Sequence, residues 1–153
     1  MVDKKDWRHS VKTMTSFLLV VLIALFASRY INTWLGERAL ENTGLEHLSM
    51  EEALNLAQST DKPIVAKFAA IWCGACRRLD TEVFVDETLK SVLRNDVHYV
   101  RLEYEEPEHR RWFDQYGIQG FPQFLLIDKN AKVLGRLRTP QTAAEFVNLL
   151  RTL

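Results

Sequence analysis

The chain contains 153 residues, of which 20 are basic and 20 acidic, so its formal net charge at pH 7 is zero. This length is enough for one compact domain and an extension. The even charge balance argues against a nucleic-acid partner, because nucleic-acid binding needs a basic surface.

Residues 14–35 have the length and composition of a membrane-spanning helix. The uninterrupted apolar run inside them, residues 17–27, is too short to cross a bilayer by itself. In the longer stretch, Arg29 is the only charged side chain, and it lies near one end. Tyr30 and Trp34 occupy positions suited to the membrane interface. We therefore predict a transmembrane signal anchor over residues 14–35.

A cleaved signal peptide and a buried helix of a soluble protein remain as alternatives for this segment. A cleavage site normally has a small residue two positions before the last one removed, but Leu25 precedes Ala27 and Phe26 precedes Ser28 in this way. More basic residues precede the span than immediately follow it, which predicts that residues 1–13 are cytoplasmic. The rest of the chain would then face the periplasm of a bacterium, as a single-pass inner-membrane protein.

The segment after the anchor changes character near residue 49. Residues 36–48 are a mixed polar stretch, which predicts a partly helical juxtamembrane spacer. Residues 49–153 are sufficient for one compact core. At the start of this domain, Ser49 and Glu52 have the spacing of a capping box, which predicts a helix over residues 49–59.

The only two cysteines, Cys73 and Cys76, follow a mostly apolar run, residues 63–70, that predicts a buried strand. When such a pair opens a helix, the first sulfur lies near unpaired N–H groups and the positive end of the helix dipole, which stabilise a thiolate. The second sulfur lies one turn further on the same side. A pair of this kind can cycle between dithiol and disulfide. The alternative is a structural disulfide, but in a four-residue loop it would stabilise the fold little.

Metal binding is a weaker interpretation of these residues. A zinc site needs four ligands, and the histidines lack the close spacing of zinc ligands. They are His9, His47, His98 and His109. A group of glutamates further along is expected to form a solvated face near a helix start. They are Glu103, Glu105, Glu106 and Glu108. We predict neither a metal nor a cofactor.

Further helices and strands are predicted beyond the cysteines. Helical spacing covers residues 77–84, 87–94 and 107–116 and a final helix from Thr139 to near the C-terminus. Strand patterns cover residues 97–104, 123–127 and 132–138. Asp86 and Thr139 are the expected N-caps, and Pro107 and Pro140 stand near the first positions of their helices. This order of helices and strands indicates an α/β fold.

Two motifs resemble the thioredoxin superfamily. The first is Trp72 followed by the two cysteines after a strand, and the second is the loop of residues 116–122, which resembles the family's loop ending in a cis-proline. They lie about 45 residues apart in the family's order. Over residues 49–153 the chain looks like this superfamily. Three shorter segments, Lys62-Pro63, residues 81–86 and the turn at residues 128–130, resemble membrane-anchored bacterial thioredoxin-like proteins and the periplasmic C-terminal domain of the DsbD family. The resemblance implies a thioredoxin fold, with a central mixed sheet flanked by helices, after an N-terminal transmembrane helix.

The resemblance also implies roles for single residues. Cys73 would be the exposed, attacking thiolate, and Cys76 would be the resolving thiol. Pro122 would be the cis-proline beside the pair. Trp72 would shield the sulfurs, and the backbone of Phe121 and Gln123 would pair with an extended substrate like an added strand. The implied substrate-binding residues are Trp72, Phe121, Pro122 and Gln123.

Lys67 is a departure from the family. The family usually has a buried acid six residues before the first cysteine, where this chain has Lys67. A buried lysine would need a partner, and we predict that it pairs with Glu103 on the neighbouring strand or with Asp80, one turn past Cys76. The alternative is that Lys67 reaches solvent at a sheet edge. Lys67, Asp80 and Glu103 are thus the candidates for proton transfer.

The predicted function is thiol:disulfide oxidoreduction, most simply as a membrane-tethered reductase of protein disulfides outside the cytoplasm. Gly74 and Ala75 replace both the proline of reducing thioredoxins and the histidine of strongly oxidising relatives, so an oxidase or isomerase remains an alternative. A redox-inert binding module is another. The expected partners are proteins with reactive thiols or disulfides and a membrane electron donor or acceptor, which the sequence does not identify.

Overall fold

The computed structural model describes the backbone of residues 4–153 and the side chains from residue 13 onwards. The basic side chains that predict a cytoplasmic N-terminus lie outside the described side chains. They are Lys4, Lys5, Arg8 and Lys12. The orientation of the anchor therefore stays a prediction.

The described chain folds into helices and strands in an alternating order. The helices are α1 (Lys4–Thr43), α2 (Met50–Ser59), α3 (Gly74–Glu82), α4 (Glu87–Asn95), α5 (Arg110–Tyr116) and α6 (Ala143–Leu150). The strands are β1 (Ile64–Ala69), β2 (His98–Glu103), β3 (Gln123–Ile127) and β4 (Val133–Leu137). A short 3₁₀ turn, Pro107–His109, precedes α5, so the predicted helix over residues 107–116 begins with a tighter turn.

The four strands form one mixed sheet in the order β2-β1-β3-β4. β1 is parallel to β2 and antiparallel to β3, and β3 is antiparallel to β4. This arrangement confirms the predicted thioredoxin fold. Because β1 lies inside the sheet, all six of its residues are buried.

Side chains of β1 alternate between two core layers. Val65 lies in the layer that α3, α4 and α6 cover, together with Phe84 and Phe146. Ile64, Ala66 and Phe68 lie in the layer that α2 and α5 cover. Alternation places Lys67 on the same face as Val65, towards α3. The lysine therefore lies between the sheet and the helix that carries the cysteines.

The helix N-termini follow the expected capping chemistry, with one exception. Ser49 and Glu52 form the predicted capping box, and the Asp86 carboxylate accepts the N–H of Leu89 at 2.8 Å. The prediction that Thr139 caps the last helix is wrong, because Thr142 is the N-cap of α6. The Thr142 hydroxyl accepts the N–H of Glu145 at 3.2 Å. Thr139 and Pro140 consequently lie before the helix.

α1 is a single helix that continues beyond the predicted span. Its residues 13–43 are apolar and long enough to cross a membrane, with a mean hydropathy of 2.0 in the most apolar window, and none of that window is buried. Beyond residue 35, Ala39 and Thr43 are 3% and 2% exposed. The segment predicted as a spacer is thus helical as far as Thr43 and packs against the domain.

Candidate active site

The two cysteines lie at the start of α3, as predicted. Cys73 is the N-cap, and its Sγ accepts the backbone N–H of Cys76 at 3.2 Å. Both residues are free thiols. The backbone N–H of Cys73 in turn donates to the Ala70 carbonyl at 2.9 Å, which fixes the turn between β1 and α3. The first sulfur therefore occupies the position of an anion at a helix N-terminus.

The burial of Cys73 differs from the prediction. The sequence predicts an exposed first cysteine, but Cys73 is only 8% exposed, and Cys76 is 1% exposed. The physical reason is that both sulfurs belong to a small apolar cluster with Ala69 and Ala70, against which Phe121 packs. Only a small part of Cys73 is therefore accessible from solvent.

Cys76 is a much weaker acid than an ordinary thiol. Burial first, and then its interaction with Cys73, raise the pKa of the Cys76 thiol to about 12. The backbone N–H of Ala70 and the positive charge of Lys67 oppose this rise. At neutral pH Cys76 is thus a thiol, and it needs help to lose its proton before it can act as a nucleophile.

The proline loop lies beside the cysteine helix. The Phe121–Pro122 peptide bond is cis, as the resemblance implies. Pro122 and Ala75, the residue before Cys76, line one small cavity of about 90 Å³. Two segments about 45 residues apart in the sequence therefore meet at this end of the sheet.

Aromatic side chains surround the opening. Trp72 is 40% exposed, so it is not a core residue. Its ring meets that of Phe121 edge to face, with centroids 6.1 Å apart. Phe121 also contacts Tyr104 and Phe113, at centroid distances of 5.5 and 5.7 Å. Trp72, Phe121 and Tyr104 thus form a partly exposed apolar surface beside the cysteines.

Gln123 makes contacts within the sheet through both its backbone and its side chain. It is the first residue of β3, where it is paired with Phe68 of β1. Its side-chain oxygen accepts Nη1–H of Arg136 at 2.6 Å, and Nη2–H of the same arginine donates to the Tyr116 carbonyl at 3.0 Å. Arg136 thus ties the proline loop to β4. The sequence analysis missed this residue, since only the β3–β4 register brings it to the loop.

Lys67 is completely buried, and the prediction that it pairs with Asp80 is confirmed. Its Nζ lies 2.5 Å from Asp80 Oδ1 and 4.3 Å from the centroid of the Phe84 ring. Because β1 is an interior strand, the alternative of a lysine that reaches solvent at a sheet edge is wrong.

Arg101 completes a buried network of charges. Its Nη1 lies 2.8 Å from Asp80 Oδ1, and its Nε lies 2.5 Å from Glu103 Oε1. The prediction of Glu103 as a partner of Lys67 is therefore replaced by a Glu103–Arg101 pair. The sequence analysis missed Arg101, although the signal was present. In the alternating pattern of β2, Arg101 lies on the opposite face of the strand from Val100 and Leu102. In the parallel register of β1 and β2, Arg101 is the partner of Lys67.

Burial of this network shifts the pKa values of Lys67 and Glu103. Burial, together with the positive charge of Arg101, lowers the pKa of Lys67 to about 8, against the opposing effect of Asp80. Burial raises the pKa of Glu103, although Arg101 opposes it. Glu103 Oε2 is the only buried side-chain oxygen or nitrogen in the described residues without a hydrogen-bond partner. The lowered pKa of Lys67 brings its titration close to neutral pH.

Of the four glutamates predicted to form a solvated face, Glu105, Glu106 and Glu108 are exposed, and Glu103 is the exception. Glu103 is largely buried and ion-paired, so its assignment to a solvated face is wrong. The carboxylate of Glu105 accepts the N–H of Ile71 at 3.2 Å, which holds the turn just before Trp72. In the part of the chain with described side chains, no three His, Cys, Asp or Glu residues come together as metal ligands would.

Comparisons with known proteins agree with this geometry. The family described as "Thioredoxin-like domain" matches residues 50–153. The chloroplastic thioredoxin-like protein HCF164 of Arabidopsis thaliana is 29% identical over 150 residues, which cover 95% of this chain and 52% of that protein. The thiol:disulfide interchange protein DsbD of Yersinia pestis is 22% identical over 144 residues, 88% of this chain and 24% of that protein. The chain thus spans about half the length of these relatives, or less.

A solved structure supports the same assignment. The structure titled "DsbH Oxidoreductase" superposes on 71% of this chain and 83% of its own, with a TM-score of 0.63 and 25% sequence identity. The portion that it covers is about the length of the domain that begins at α2. Fold, sequence family and cysteine geometry therefore point to the same class of protein.

Proposed function

Because the chain belongs to the thioredoxin-like domain family, we propose that it is a thiol:disulfide oxidoreductase that reduces protein disulfides through Cys73 and Cys76. The observation that carries the proposal is the pair of free thiols at the start of α3, with the Phe121–Pro122 loop packed beside them. Relatives named as thioredoxin-like and thiol:disulfide interchange proteins support it.

The reaction proceeds by two thiol–disulfide exchanges. The Cys73 thiolate attacks one sulfur of the substrate disulfide, so a Cys73–substrate bond forms, the substrate S–S bond breaks, and the departing thiolate takes a proton. Cys76 then loses its proton and attacks the Cys73 sulfur, which releases the second substrate thiolate and leaves a Cys73–Cys76 disulfide. Two electrons pass from the protein to the substrate. A partner with a reactive dithiol must return them.

Lys67 assists the second exchange in this proposal. Its positive charge lowers the pKa of Cys76, whereas burial raises it. Asp80 holds the Lys67 ammonium in place from α3, the same helix that carries Cys76. With a pKa of about 8, Lys67 is also able to exchange protons near neutral pH. Asp80 is then a positioning residue, while Glu103 acts through Arg101.

We also propose that α1 anchors the protein in the inner membrane of a bacterium, with the redox domain in the periplasm. The helix over residues 13–43, whose most apolar window is not buried, supports the anchor. Protease added to spheroplasts tests the orientation. It should digest the domain of a periplasmic protein and leave that of a cytoplasmic one intact.

Insulin reduction with dithiothreitol tests the redox activity of the full chain in detergent. The wild-type protein should accelerate the reaction, and Cys73→Ser should not. When the reduced Cys76→Ser protein is mixed with insulin without dithiothreitol, it should accumulate a mixed disulfide with the substrate, because the resolving thiol is missing. A redox-inert binding module would instead bind its partner equally well when both cysteines are replaced by serine.

The reduction potential of the cysteine couple tests the direction of electron flow. A value near that of thioredoxin, about −270 mV, would support a reductase, whereas a value near −120 mV would favour an oxidase. The positive charges of Arg77 and Arg78 follow Cys76 directly, and by stabilising a thiolate they should raise the potential somewhat.

A further inference from the structure

A groove of about 540 Å³ lies between the C-terminal part of α1 and α3. Arg38 and Ala39 line it from α1, and Gly74, Arg77 and Arg78 line it from α3. The groove is separate from the apolar cluster that surrounds the two sulfurs, because the two share no residue. The proposed redox reaction therefore leaves the groove itself without a role.

The groove has an excess of positive charge. Three arginines line it, Arg38, Arg77 and Arg78, and Glu82 is the only acidic residue among the described residues that line it. None of the seven ion pairs between described side chains includes any of these three arginines. The groove therefore has a surplus of two positive charges, which favours an anionic ligand.

Two of the guanidinium groups point towards the predicted membrane span. The Arg38 side chain reaches back along α1, so that its Cζ lies 4.4 Å from the centroid of the Trp34 ring. Nη1–H of Arg77 donates to Asn32 Oδ1 at 3.2 Å. Asn32 and Trp34 belong to the end of the span predicted over residues 14–35, and Trp34 is 44% exposed. An anion bound by these arginines would therefore lie where the span leaves the membrane.

The start of α3 adds to the attraction for an anion. Gly74 is the first residue of α3 and lines the groove. A Cβ atom at this position would meet nothing within 4 Å, so the backbone is open there. The N–H groups at a helix start and the positive end of the helix dipole both favour a negative charge. This partial charge supplements the full charges of the three arginines.

We propose that the groove binds the phosphate of an anionic phospholipid headgroup. Guanidinium groups suit this ligand, because each of them can donate two parallel N–H bonds to phosphate oxygens. Basic side chains next to a membrane span attract anionic headgroups. The assignment to a lipid rests on the anchor in the proposed function, since only a membrane helix brings headgroups to residues 32–38.

The apolar lining favours a lipid over free phosphate as the source of the anion. Leu35 also lines the groove and is 36% exposed, on the side of the predicted span. It offers a contact to the glycerol backbone and the first acyl carbons of a lipid, whereas inorganic phosphate has no apolar part. The groove should therefore distinguish the two ligands.

Isothermal titration calorimetry of the full chain in neutral detergent tests this binding without any redox reaction. The probes are short-chain phosphatidylglycerol, phosphatidylcholine with the same acyl chains, and inorganic phosphate. Wild type should bind phosphatidylglycerol at least about tenfold more tightly than phosphatidylcholine, because only the first has a net negative charge. It should also bind phosphatidylglycerol more tightly than inorganic phosphate. Equal affinity for the two lipids, or for phosphatidylglycerol and inorganic phosphate, would overturn the proposal.

Substitutions in the groove should change the affinity for phosphatidylglycerol in opposite directions. Arg38→Gln should weaken binding about fivefold, because one basic side chain near a membrane surface contributes about that much. Glu82→Gln should strengthen binding, because it removes the negative charge from the groove, and a damaged fold cannot produce such a gain. The matched control, Arg151→Gln, removes one positive charge from the exposed C-terminal end and should bind as wild type. If Arg38→Gln and Glu82→Gln also bind as wild type, the groove is not the site.

Two further measurements on wild type separate this proposal from the proposed function. If the protein floats with liposomes and reduces insulin but binds both lipids equally, only the lipid site is overturned. If it binds phosphatidylglycerol selectively but does not reduce insulin, only the redox activity is overturned. If it does not float with liposomes, the anchor is overturned, and the lipid site with it.

Discussion

At the start of α3, Cys73 and Cys76 share one helical turn but have different chemical environments. The Cys73 sulfur accepts an N–H group of the turn, whereas Cys76 is 1% exposed and has a pKa of about 12. The difference supports the proposed roles of Cys73 as the attacking sulfur and Cys76 as the resolving one. It also makes deprotonation of Cys76 the step on which the buried charges act.

Lys67→Met should slow the release of the mixed disulfide. The positive charge of Lys67 lowers the pKa of Cys76, so its loss raises that pKa further. Each pKa unit lowers the thiolate fraction of Cys76 at neutral pH about tenfold, and we expect a rate decrease of about that size. Stopped-flow measurement of the second exchange, with a peptide bound to Cys73 through a disulfide, gives the rate.

Lys129→Met is the matched control for this variant. Lys129 is an exposed lysine in the turn between β3 and β4, so its replacement should leave the rate unchanged. If Lys67→Met and Lys129→Met release the peptide equally fast, Lys67 has only a structural role.

The same lysine should make stability depend on pH. Below pH 8, Lys67 is protonated in both the folded and the unfolded state, so its contribution to the free energy of unfolding is constant. Between pH 8 and its ordinary pKa of 10.5, the folded protein has released the proton and the unfolded chain keeps it. The free energy of unfolding therefore rises with pH in this window, by at most about 3 kcal/mol.

Urea unfolding of wild type and Lys67→Met at several pH values isolates this effect, because the other groups that titrate in the window are common to both proteins. The stability of wild type relative to the variant should increase from pH 7 to pH 10. A constant difference would mean that the pKa of Lys67 is not lowered by folding.

At the scale of the elements, local patterns were the reliable guides. The apolar run before the cysteines predicted β1, and the capping box at Ser49 predicted the start of α2. The start of α6 was predicted three residues too early. Thr139 followed by Pro140 satisfies the local pattern, yet Thr142 has a glutamate three residues later. That glutamate accepts the N–H of Gln141 at 2.9 Å and thereby stabilises the later start.

Thr142→Ala should therefore destabilise the domain, and Thr139→Ala should not. Loss of an N-cap costs about 1 kcal/mol, because the N–H of Glu145 loses its acceptor. Thr139 lies before α6, so its replacement should change the free energy of unfolding by less than about 0.5 kcal/mol. Chemical unfolding of the two variants and wild type provides the comparison. Equal losses in both variants would contradict the observed start of α6.

At the scale of the whole molecule, the features that the sequence could not provide are contacts between distant segments. Cys73 is buried because Phe121 packs on its cluster from a loop about 45 residues away. Arg101 reaches Asp80 only because β2 lies beside β1 in this register. The apolar pattern of α1 ends near residue 35, whereas the helix continues to Thr43. A hydropathy pattern identifies the apolar part of such a helix but does not show what the rest of the helix packs against.

Because the end of α1 packs against the domain, residues before α2 contribute to the domain's free energy of unfolding. A chain that begins at residue 46 retains every element from α2 onwards but lacks Ala39, Thr43 and Leu45, all of which are buried. Burial of one leucine side chain alone is worth about 1.5–3 kcal/mol. A chain that begins at residue 36 should therefore unfold at a higher urea concentration than one that begins at residue 46, with a difference of at least about 2 kcal/mol.

Leu45→Ala in the longer chain serves to locate this difference. Leu45 belongs to the core layer between the sheet and α3, so the substitution should account for a large part of the loss, about 2 kcal/mol or more. Leu35→Ala is the matched control, because that side chain is 36% exposed and should contribute little to the core. A chain that begins at residue 32 should likewise be only slightly more stable than one that begins at residue 36. If the chains that begin at residues 36 and 46 unfold at the same urea concentration, residues 36–45 are only a linker. The packing of α1 against the domain would then add nothing to the free energy of unfolding.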